Sequence, residues 1–446
     1  PGDKFRYGQF QCAGPACLFY KDCDYANARS AYTSAMMGCT NISYFLNATK
    51  LMPSILIVDE AHKLEHVMCD QFSFKIHIDT WKKHIQTLMK KFDEKEQLAD
   101  LFQAVKTLYD LDKKNEDWID LEAINNLRSG VSTIVSSLGE YLEMVKAAGI
   151  SPRSLTKEQR EDLEKLYSAN SFFREMYDPI FFLALKPENY IPLDIVDKEN
   201  EKTAVFKPLH ASDFSHLVFG RSQKVLLMSA TIRGASLFAK DLGIPEKEYA
   251  YIEVPSTFPA ANRGVHVMRG LGAFTYKSRD QILPKFVNVI DKLLETKFEG
   301  QRGLIHTVSY DNAEYIAKNS IYKSRMIVPK TDSLLELEKL VEQYENTVLV
   351  GPNLIEGLDL KDDLCRFIIF LKTPWASLGD KWVCKRKDEN VKWYYREAAL
   401  QFIQGAGRAT RHENDYSVIL TLDDQFGILL DKGREFFPEW FLDAIV

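Results

Sequence analysis

The sequence predicts an α/β protein built on parallel sheets, with a helical insertion in its first half. Short apolar runs that end in polar residues recur along the chain, as buried parallel strands do. Helical patterns separate most of these runs, which predicts a doubly wound sheet. Between about 72 and 190, apolar residues instead recur every three or four positions and Gly is scarce, so this block is predicted to be helical, and 190–220 less regular. The predicted strands are 53–59, 224–229, 303–306, 347–350, 367–371 and 417–422.

The composition is that of an ordinary globular protein. Of the 446 residues, 46% are hydrophobic and 27% are charged, and the length predicts roughly two to four domains. No apolar run approaches the roughly 18–20 residues of a membrane span. The net charge of −6 argues against a generic polyanion binder, although local basic surface can still bind phosphates. We therefore expect no membrane contact, and a cytoplasmic or nucleoid-associated protein (nuclear in a eukaryote).

Three of the seven cysteines fall close together, at Cys12, Cys17 and Cys23. Because no secretory leader is visible, such a cluster indicates metal ligation before disulfides. Cys39 supplies a fourth ligand by count, but its place at the end of an expected strand favours a small core hydrophobe. Zinc stays open as an alternative metal, although C-x2-C spacing is more typical of zinc sites.

An acid pair, Asp59-Glu60, follows the first predicted strand and is continued by Ala61 and His62. A nucleoside-triphosphate hydrolase needs one acid at a strand end to hold Mg²⁺-bound water. It needs a second carboxylate to deprotonate the attacking water. The alternative is structural, with Asp59 as a helix N-cap, Glu60 facing the helix dipole and His62 in solvent.

Two further loops carry polar residues. The Ser-Ala-Thr triplet at 229–231 can couple a nucleotide site to a polynucleotide site through its hydroxyls, or form an ordinary turn and helix cap. In the Glu-Gly-x-Asp loop at 356–359, the glycine permits a tight path and the acids can contact ribose or Mg²⁺-bound water; a plain loop is the alternative. The candidate residues are Ser229, Ala230, Thr231, Glu356, Gly357 and Asp359.

The segment 404–411 (QGAGRATR) carries two arginines. Gln404, Arg408 and Arg411 are spaced four and three apart, which predicts that all three line one face of a helix. Two arginines on one face can clamp the charge of a γ-phosphate. A solvated basic face is the alternative, but the small residues, Gly407 among them, indicate close approach by another group.

The order of these elements is that of a superfamily 2 helicase. Over nearly its full length the chain resembles the XPD/DinG family of iron–sulfur DNA helicases, most closely in YYREAALQFIQGAGRATRHENDYSVILTLDDQF. The Cys-x4-Cys-x5-Cys spacing is similar to the last three cluster ligands of the DinG branch. The segments CDYANAR and CTNISYFL also resemble that branch.

The resemblance implies two RecA-like motor domains with an Arch-like helical insertion in the first. It implies ATP, Mg²⁺ and a [4Fe–4S] cluster as ligands, and 5′→3′ translocation on single-stranded or forked DNA; it names no protein partner. A linker is expected at about 254–263, where prolines and small residues gather. The expected domains are a partial first motor domain at 1–70 (cluster segment about 8–30) and 201–258, the insertion at 71–200, and the second motor domain at 259–446.

The resemblance also implies residue roles. Asp59 anchors Mg²⁺ through water, Glu60 is the general base, and the two arginines stabilise transition-state charge. Trp375 and Trp382 can stack bases or belong to the core. The expected catalytic set is Asp59, Glu60, His62, Gln404, Arg408 and Arg411; the nucleotide-binding set is Glu356, Gly357, Asp359 and Gly407; the DNA-contacting set is Asn41, Thr307, Ser309 and Tyr310.

The chain departs from the family pattern in one respect, because it contains no G-x4-G-K-[ST] phosphate-binding loop. The family places that loop, and the first cluster cysteine, upstream of the three cysteines. One truncation before Pro1 explains both, so the chain as written is expected not to hydrolyse ATP. Two alternatives stay open: an ATP-independent nucleic-acid-binding or scaffold protein derived from a helicase, and a DEAH-box RNA helicase.

Overall fold

The computed structural model describes residues 23–48, 51–111, 119–149, 154–196, 201–330, 333–343, 345–352, 354 and 359–446. The described residues form two compact units. The first contains those up to Met228 together with Asp241–Ile244, and the second contains Ser229–Lys240 and everything from Pro245 onward. The predicted α/β fold class with parallel sheets is confirmed.

The first unit contains a parallel strand pair, a helical block and a small antiparallel sheet. The predicted strands at 53–59 and 224–229 are confirmed and begin and end within two residues of the prediction. In chain order the elements are α1 (Asp24–Ser34), α2 (Ile42–Asn47), β1 (Ile55–Val58), α3 (Leu64–Gln71), β2 (Phe74–Ile76), α4 (Ile78–Lys91), α5 (Lys95–Asp110), α6 (Leu121–Ala147), α7 (Lys157–Leu185), β3 (Tyr190–Val196), β4 (Lys202–Pro208), α8 (His216–Phe219) and β5 (Lys224–Leu227).

The insertion is not entirely helical. Helices α4 to α7 confirm the predicted helical block, but β2, β4 and β3 form an antiparallel sheet in that order beside it. The expectation of irregular structure over 190–220 is therefore wrong. Pro192 lies within β3, and proline normally argues against a strand because it donates no ladder hydrogen bond. It is tolerated here because β3 is an edge strand of this sheet.

One face of the β1–β5 pair is open to solvent. The two strands are parallel, and their register places Ile57 beside Leu226. Ile55, Ile57 and Leu226 are 65%, 59% and 51% exposed, and Met228 just beyond β5 is 40% exposed. Parallel strands are normally covered on both faces. This pair therefore presents an apolar surface that the described residues leave bare.

The second unit is built on a six-stranded sheet whose strands are all parallel, in the order β6-β11-β10-β7-β9-β8. The remaining elements, which lie almost entirely in this unit, are α9 (Ala235–Asp241), β6 (Val265–Val267), α10 (Arg279–Glu295), β7 (Gly303–His306), α11 (Tyr310–Asn319), β8 (Met326–Ile327), α12 (Leu334–Gln343), β9 (Val348–Gly351), β10 (Phe367–Phe370), α13 (Lys381–Glu389), α14 (Val391–Ala406), β11 (Val418–Thr421), α15 (Gln425–Lys432) and α16 (Glu439–Leu442).

Alternating residues of the central strands feed two separate apolar cores. Ile368 and Phe370 of β10 pack into one, and Phe367 and Ile369 into the other. Every residue of β7, β9 and β10 is buried. Burial on both faces explains why these strands are near-continuous apolar runs in the sequence.

Gly303 in β7 is required by the ring of Phe367 in the neighbouring strand. A Cβ at position 303 would lie 2.4 Å from that ring, which is itself stacked on Phe298 at 4.2 Å between centroids. Gly303→Ala should therefore lower the free energy of unfolding by about 1–3 kcal/mol through overpacking. The measurement is the denaturant midpoint. Gly427→Ala in α15 is the control, because nothing lies within 4 Å of a Cβ there; equal effects of the two changes would contradict the packing argument.

Candidate functional site

The predicted acid pair follows β1 directly. Glu60 adopts a left-handed backbone conformation, with φ 48° and ψ 40°, which is uncommon for a residue other than glycine. Two backbone contacts hold it: its own N–H donates to Asp59 Oδ1 at 2.9 Å, and the N–H of Ala61 donates to Met228 O at 2.9 Å. The constrained turn leaves the Glu60 side chain 63% exposed at the carboxyl end of the strand.

The structural alternative for this motif is wrong for Asp59 and for His62. The 3₁₀ turn Ala61–Lys63 receives no side-chain cap, because Asp59 Oδ1 accepts from the adjacent Glu60 N–H instead. His62 is not solvated either, since its side chain is only 8% exposed. His62 Nδ1 lies 3.3 Å from Glu60 Oε2. The histidine thus supports the glutamate whose carboxylate faces outward.

The Ser-Ala-Thr triplet contacts the predicted arginine segment within the second unit. Ser229 Oγ accepts from the Thr231 N–H at 3.1 Å, which forms a tight local turn. Gln404 Nε2 then donates to Thr231 Oγ1 at 3.2 Å, and Thr231 is only 5% exposed. The sequence had placed these residues in two motifs 173 positions apart, and the structure brings them together.

The prediction that Gln404, Arg408 and Arg411 share one helical face is wrong. Helix α14 ends at Ala406, with Gly407 as its C-cap, so both arginines lie beyond the helix. The reason is the pair of glycines around Ala406, which weakens the helix there. A Cβ at Gly405 would lie 2.7 Å from the Phe370 ring, so the helix end packs tightly on β10.

A buried carboxylate fixes the arginine segment after the helix. Asp415 is fully buried, and its Oδ2 accepts from the Arg411 N–H at 3.0 Å. Its Oδ1 accepts from Arg366 Nη1 at 2.9 Å and from the Asp362 N–H at 3.2 Å. Sequence reasoning missed Asp415, whose only signal was an acid shortly after the arginines.

The Glu-Gly-x-Asp loop is only partly described. Glu356 and Gly357 lie outside the described residues. Asp359 is described, and its Oδ1 lies 2.8 Å from Arg411 Nε. The structure therefore connects the last acid of this loop to the second arginine, a pairing that the motif order alone did not indicate.

The loop after β7 was predicted to contact a polynucleotide. Val308 there has φ 70°, an outlier for a β-branched residue. Thr307 is fully buried and its hydroxyl donates to Ser309 O at 2.9 Å, so direct contact by Thr307 does not fit its burial. Ser309 caps α11, and Tyr310 is 41% exposed. Tyr310 and Val308, which is 46% exposed, are therefore the open side chains of this loop.

His306, at the end of β7, is a feature that sequence reasoning missed. It is 2% exposed, its ring lies 4.8 Å from that of Phe370, and among the described residues neither ring nitrogen has a hydrogen-bond partner. Burial, and then the charge of Arg408, lower the pKa of His306 to about 3. A Cβ on Gly405 would lie 3.5 Å from its Nε2. A neutral imidazole therefore stands between the loop after β7 and the arginine segment.

The two acids that follow β11 hold the loops at that edge of the sheet. The buried carboxylate of Asp423 accepts from the N–H groups of Phe274 and Thr373, both at 2.9 Å. Asp424 accepts from the N–H groups of Gly270 and Gly272 at 3.0 Å. Hydrogen bonds to carboxylates are roughly twice as strong as neutral ones, so these acids are structural.

Of the cluster cysteines, Cys12 and Cys17 lie outside the described residues, and Cys23 is half-buried just before α1. Cys39 is exposed and in no strand, so its expected place in the core is wrong.

Asn41 caps α2, its Oδ1 accepting from the Tyr44 N–H at 2.7 Å. The idea that Trp382 stacks bases is also wrong, because its side chain is buried against Trp393.

Comparisons with known proteins agree with this architecture. A family model described as a helicase C-terminal domain matches residues 295–443. The ATP-dependent DNA helicases CHL1 of Kluyveromyces lactis and Saccharomyces cerevisiae are 20% and 22% identical over 94% and 95% of this chain, but over 58% and 57% of their own length. A Staphylococcus aureus protein named 3′-5′ exonuclease DinG is 21% identical over 86% of this chain and 47% of its own.

Two solved structures share the fold. An XPD helicase structure is 17% identical, with a TM-score of 0.50 over 89% of this chain and 69% of that one. The structure of S. tokodaii Xpd4 is 15% identical, with a TM-score of 0.53 over 94% and 79%. The chain is thus similar to XPD/DinG-like superfamily 2 helicases in both sequence and fold.

This XPD/DinG-like chain spans about half the length of the curated relatives it matches. Among its described residues, no helix is long and apolar enough to cross a membrane.

The buried His306 predicts a pH dependence of stability. In the unfolded chain its imidazole titrates near 6.5, whereas the folded pKa is about 3. The unfolded state therefore gains a proton as pH falls below 6.5 and the folded state does not, so stability present above 6.5 is lost progressively towards 3. This group alone should lower the free energy of unfolding by about 2 kcal/mol between about pH 7 and pH 5.

Denaturant unfolding at several pH values measures this effect. His306→Phe, which keeps an aromatic ring against Phe370, should flatten the pH dependence by that amount. An unchanged slope in the variant would show that His306 is not buried in its neutral form.

Proposed function

We propose that this chain is part of an ATP-dependent DNA helicase of the XPD/DinG type, which translocates 5′→3′ on single-stranded DNA. The observation that carries the proposal is the acid pair, held in a constrained turn at the end of β1 with the Glu60 carboxylate facing out. The family relationship supports DNA as the substrate, and the 5′→3′ direction rests on the resemblance alone.

The acid pair divides two tasks. Asp59 has one oxygen engaged by the Glu60 N–H, and its other oxygen can accept from water bound to Mg²⁺. Mg²⁺, when bound with ATP, neutralises charge on the phosphates. Glu60 takes the proton of the attacking water, and His62 at 3.3 Å orients its carboxylate.

Arg408 and Arg411 supply positive charge for the transferred phosphoryl group. The Arg411–Asp359 ion pair is partly exposed, with side chains 33% and 64% accessible. Exposed ion pairs stabilise a fold by only about 0–1 kcal/mol. A triphosphate can therefore displace Asp359, while the buried Asp415 keeps the Arg411 backbone in place.

The Thr231–Gln404 hydrogen bond gives the proposal a coupling element. Thr231 belongs to the triplet expected to link nucleotide and polynucleotide sites, and Gln404 begins the arginine segment. A shift of either segment on binding of its ligand would strain or break this one contact. We therefore assign to this hydrogen bond the coupling of DNA binding to ATP hydrolysis.

The proposal places the phosphate-binding loop, and a fourth cysteine for the [4Fe–4S] cluster, in polypeptide outside this sequence. Two observations support it: the bare apolar face of β1 and β5, and the coverage of about half of each curated relative. Cys12, Cys17 and Cys23 would hold the cluster. The gene upstream of codon 1 discriminates the alternatives. An in-frame GKT or GKS segment with one more cysteine supports the motor, and a start codon directly before Pro1 supports an ATP-independent binder.

Replacing the proposed base tests the chemistry. In a protein extended to include the upstream loop, Glu60→Gln should lower DNA-stimulated ATP hydrolysis by roughly 10²–10⁴-fold, the usual contribution of a general base. DNA binding should be retained. The matched control is Glu94→Gln, an exposed glutamate of the insertion. Hydrolysis at the unaltered rate in Glu60→Gln would overturn the assignment, and stimulation by RNA but not DNA would favour an RNA helicase.

A double-mutant cycle tests the coupling contact. Gln404→Ala and Thr231→Val should each reduce the stimulation of ATP hydrolysis by DNA by up to about tenfold, since a neutral hydrogen bond contributes about 0.5–1.5 kcal/mol. Hydrolysis without DNA is the second readout and should change less. The double variant should be no worse than the more impaired single variant. Strictly additive losses would mean that the two residues act independently.

A further inference from the structure

A basic groove lies on the insertion, between α4 and α7. Its volume is about 370 Å³. Lysines outnumber aspartates along it by five to two, in a chain whose net charge is −6. The charged lining residues are Lys82, Lys83, Lys90, Lys91, Lys165, Asp79 and Asp162.

The buried face of α4 fixes the direction in which these lysines point. Trp81 is fully buried, with its ring 5.1 Å from that of Phe172 and 5.8 Å from that of Phe173. His84 stacks on Phe172 at 4.5 Å. Burial, together with the nearby Lys83, lowers the pKa of His84 to about 4, so the ring packs as a neutral aromatic. The four lysines of α4 therefore lie on its exposed side, and all four line the groove.

The α4 lysines lack the local ion pairs found elsewhere in the insertion. Lys146 pairs with Glu143 at 3.5 Å, Lys157 with Glu161 at 4.0 Å and Lys165 with Asp162 at 3.5 Å. Within the part of the chain that the structure describes, none of Lys82, Lys83, Lys90 and Lys91 has such a partner. Four unpaired cations along one wall of a concave surface raise the local positive potential.

The helix dipole explains only half of this pattern. Lys90 and Lys91 lie in the last turn of α4, where cations favour the negative end of a helix. Lys82 and Lys83 lie in the first half of the helix, where the dipole gives them no such advantage. The presence of both lysine pairs therefore indicates a ligand with repeated negative charge rather than helix stabilisation alone.

We propose that this basic groove binds the phosphodiester backbone of nucleic acid, as a contact surface separate from the motor residues. The two lysine pairs are eight residues apart, which is about 12 Å along a helix. One strand of duplex DNA passes roughly three to four phosphates over that distance, at about 3.4 Å each. The Gln86 amide lies between the pairs and can donate to a phosphate oxygen.

The test is the salt dependence of DNA binding by the full chain without nucleotide. Each phosphate contact contributes about 0.7 to the slope of log K against log salt for single strands and about 0.9 for duplex. Changing Lys82, Lys83, Lys90 and Lys91 together to Gln should lower that slope by roughly 2–3. The measurement is made separately with labelled single-stranded DNA and with labelled duplex DNA of equal length. The DNA form whose salt dependence falls in the variant is the form that the groove binds.

The matched control changes four exposed lysines elsewhere in the insertion, Lys95, Lys106, Lys146 and Lys157, to Gln, with the same loss of charge. It should leave the slope within about 1 of the unaltered chain, and circular dichroism checks that both variants are folded. Equal slopes for the two variants in both arms would overturn the proposal and leave an acidic protein as the alternative occupant. This binding assay contains no ATP, so its result does not depend on ATP hydrolysis. The Glu60→Gln experiment tests only the motor.

Discussion

The parallel pairing of β10 with β7 and β11 is the constraint on which the second unit depends. Strands buried on both faces must satisfy every backbone group within the sheet. The pairing continues past the strand ends, since the Leu371 N–H donates to His306 O and the Leu422 N–H to Phe370 O. The loops that carry the polar residues therefore emerge from one edge, already held by main-chain bonds.

Much of the fold follows from the sequence because buried parallel strands are apolar throughout. The six strands expected from apolar runs all occur, and β7 begins and ends at the predicted residues. The antiparallel sheet of the insertion was missed for a physical reason. Its pairing joins β2 to β4 across more than a hundred residues, and Pro192 hides β3 from any rule based on propensity.

The sequence predicted which residues belong to the site better than it predicted how they are arranged. The acid pair stands at its strand end as expected, but the left-handed turn at Glu60, held by the Asp59 carboxylate and the Ala61 N–H, has no signal in the sequence. Spacings of four and three suit a helix, yet Asp415 draws the Arg411 backbone into a turn instead. Asp415 also binds residues about 50 positions away in the sequence, and such a contact produces no periodic pattern.

The bare face of β1 and β5 has a practical consequence for work with this polypeptide. Ile55, Ile57 and Leu226 are exposed on one face of this two-stranded pair, where Lys224, in register with Ile55, is the exposed charged residue. Such surfaces recruit strands from other molecules and lead to aggregation. We therefore expect recombinant protein of this sequence to self-associate less when a fused or co-expressed polypeptide covers that surface.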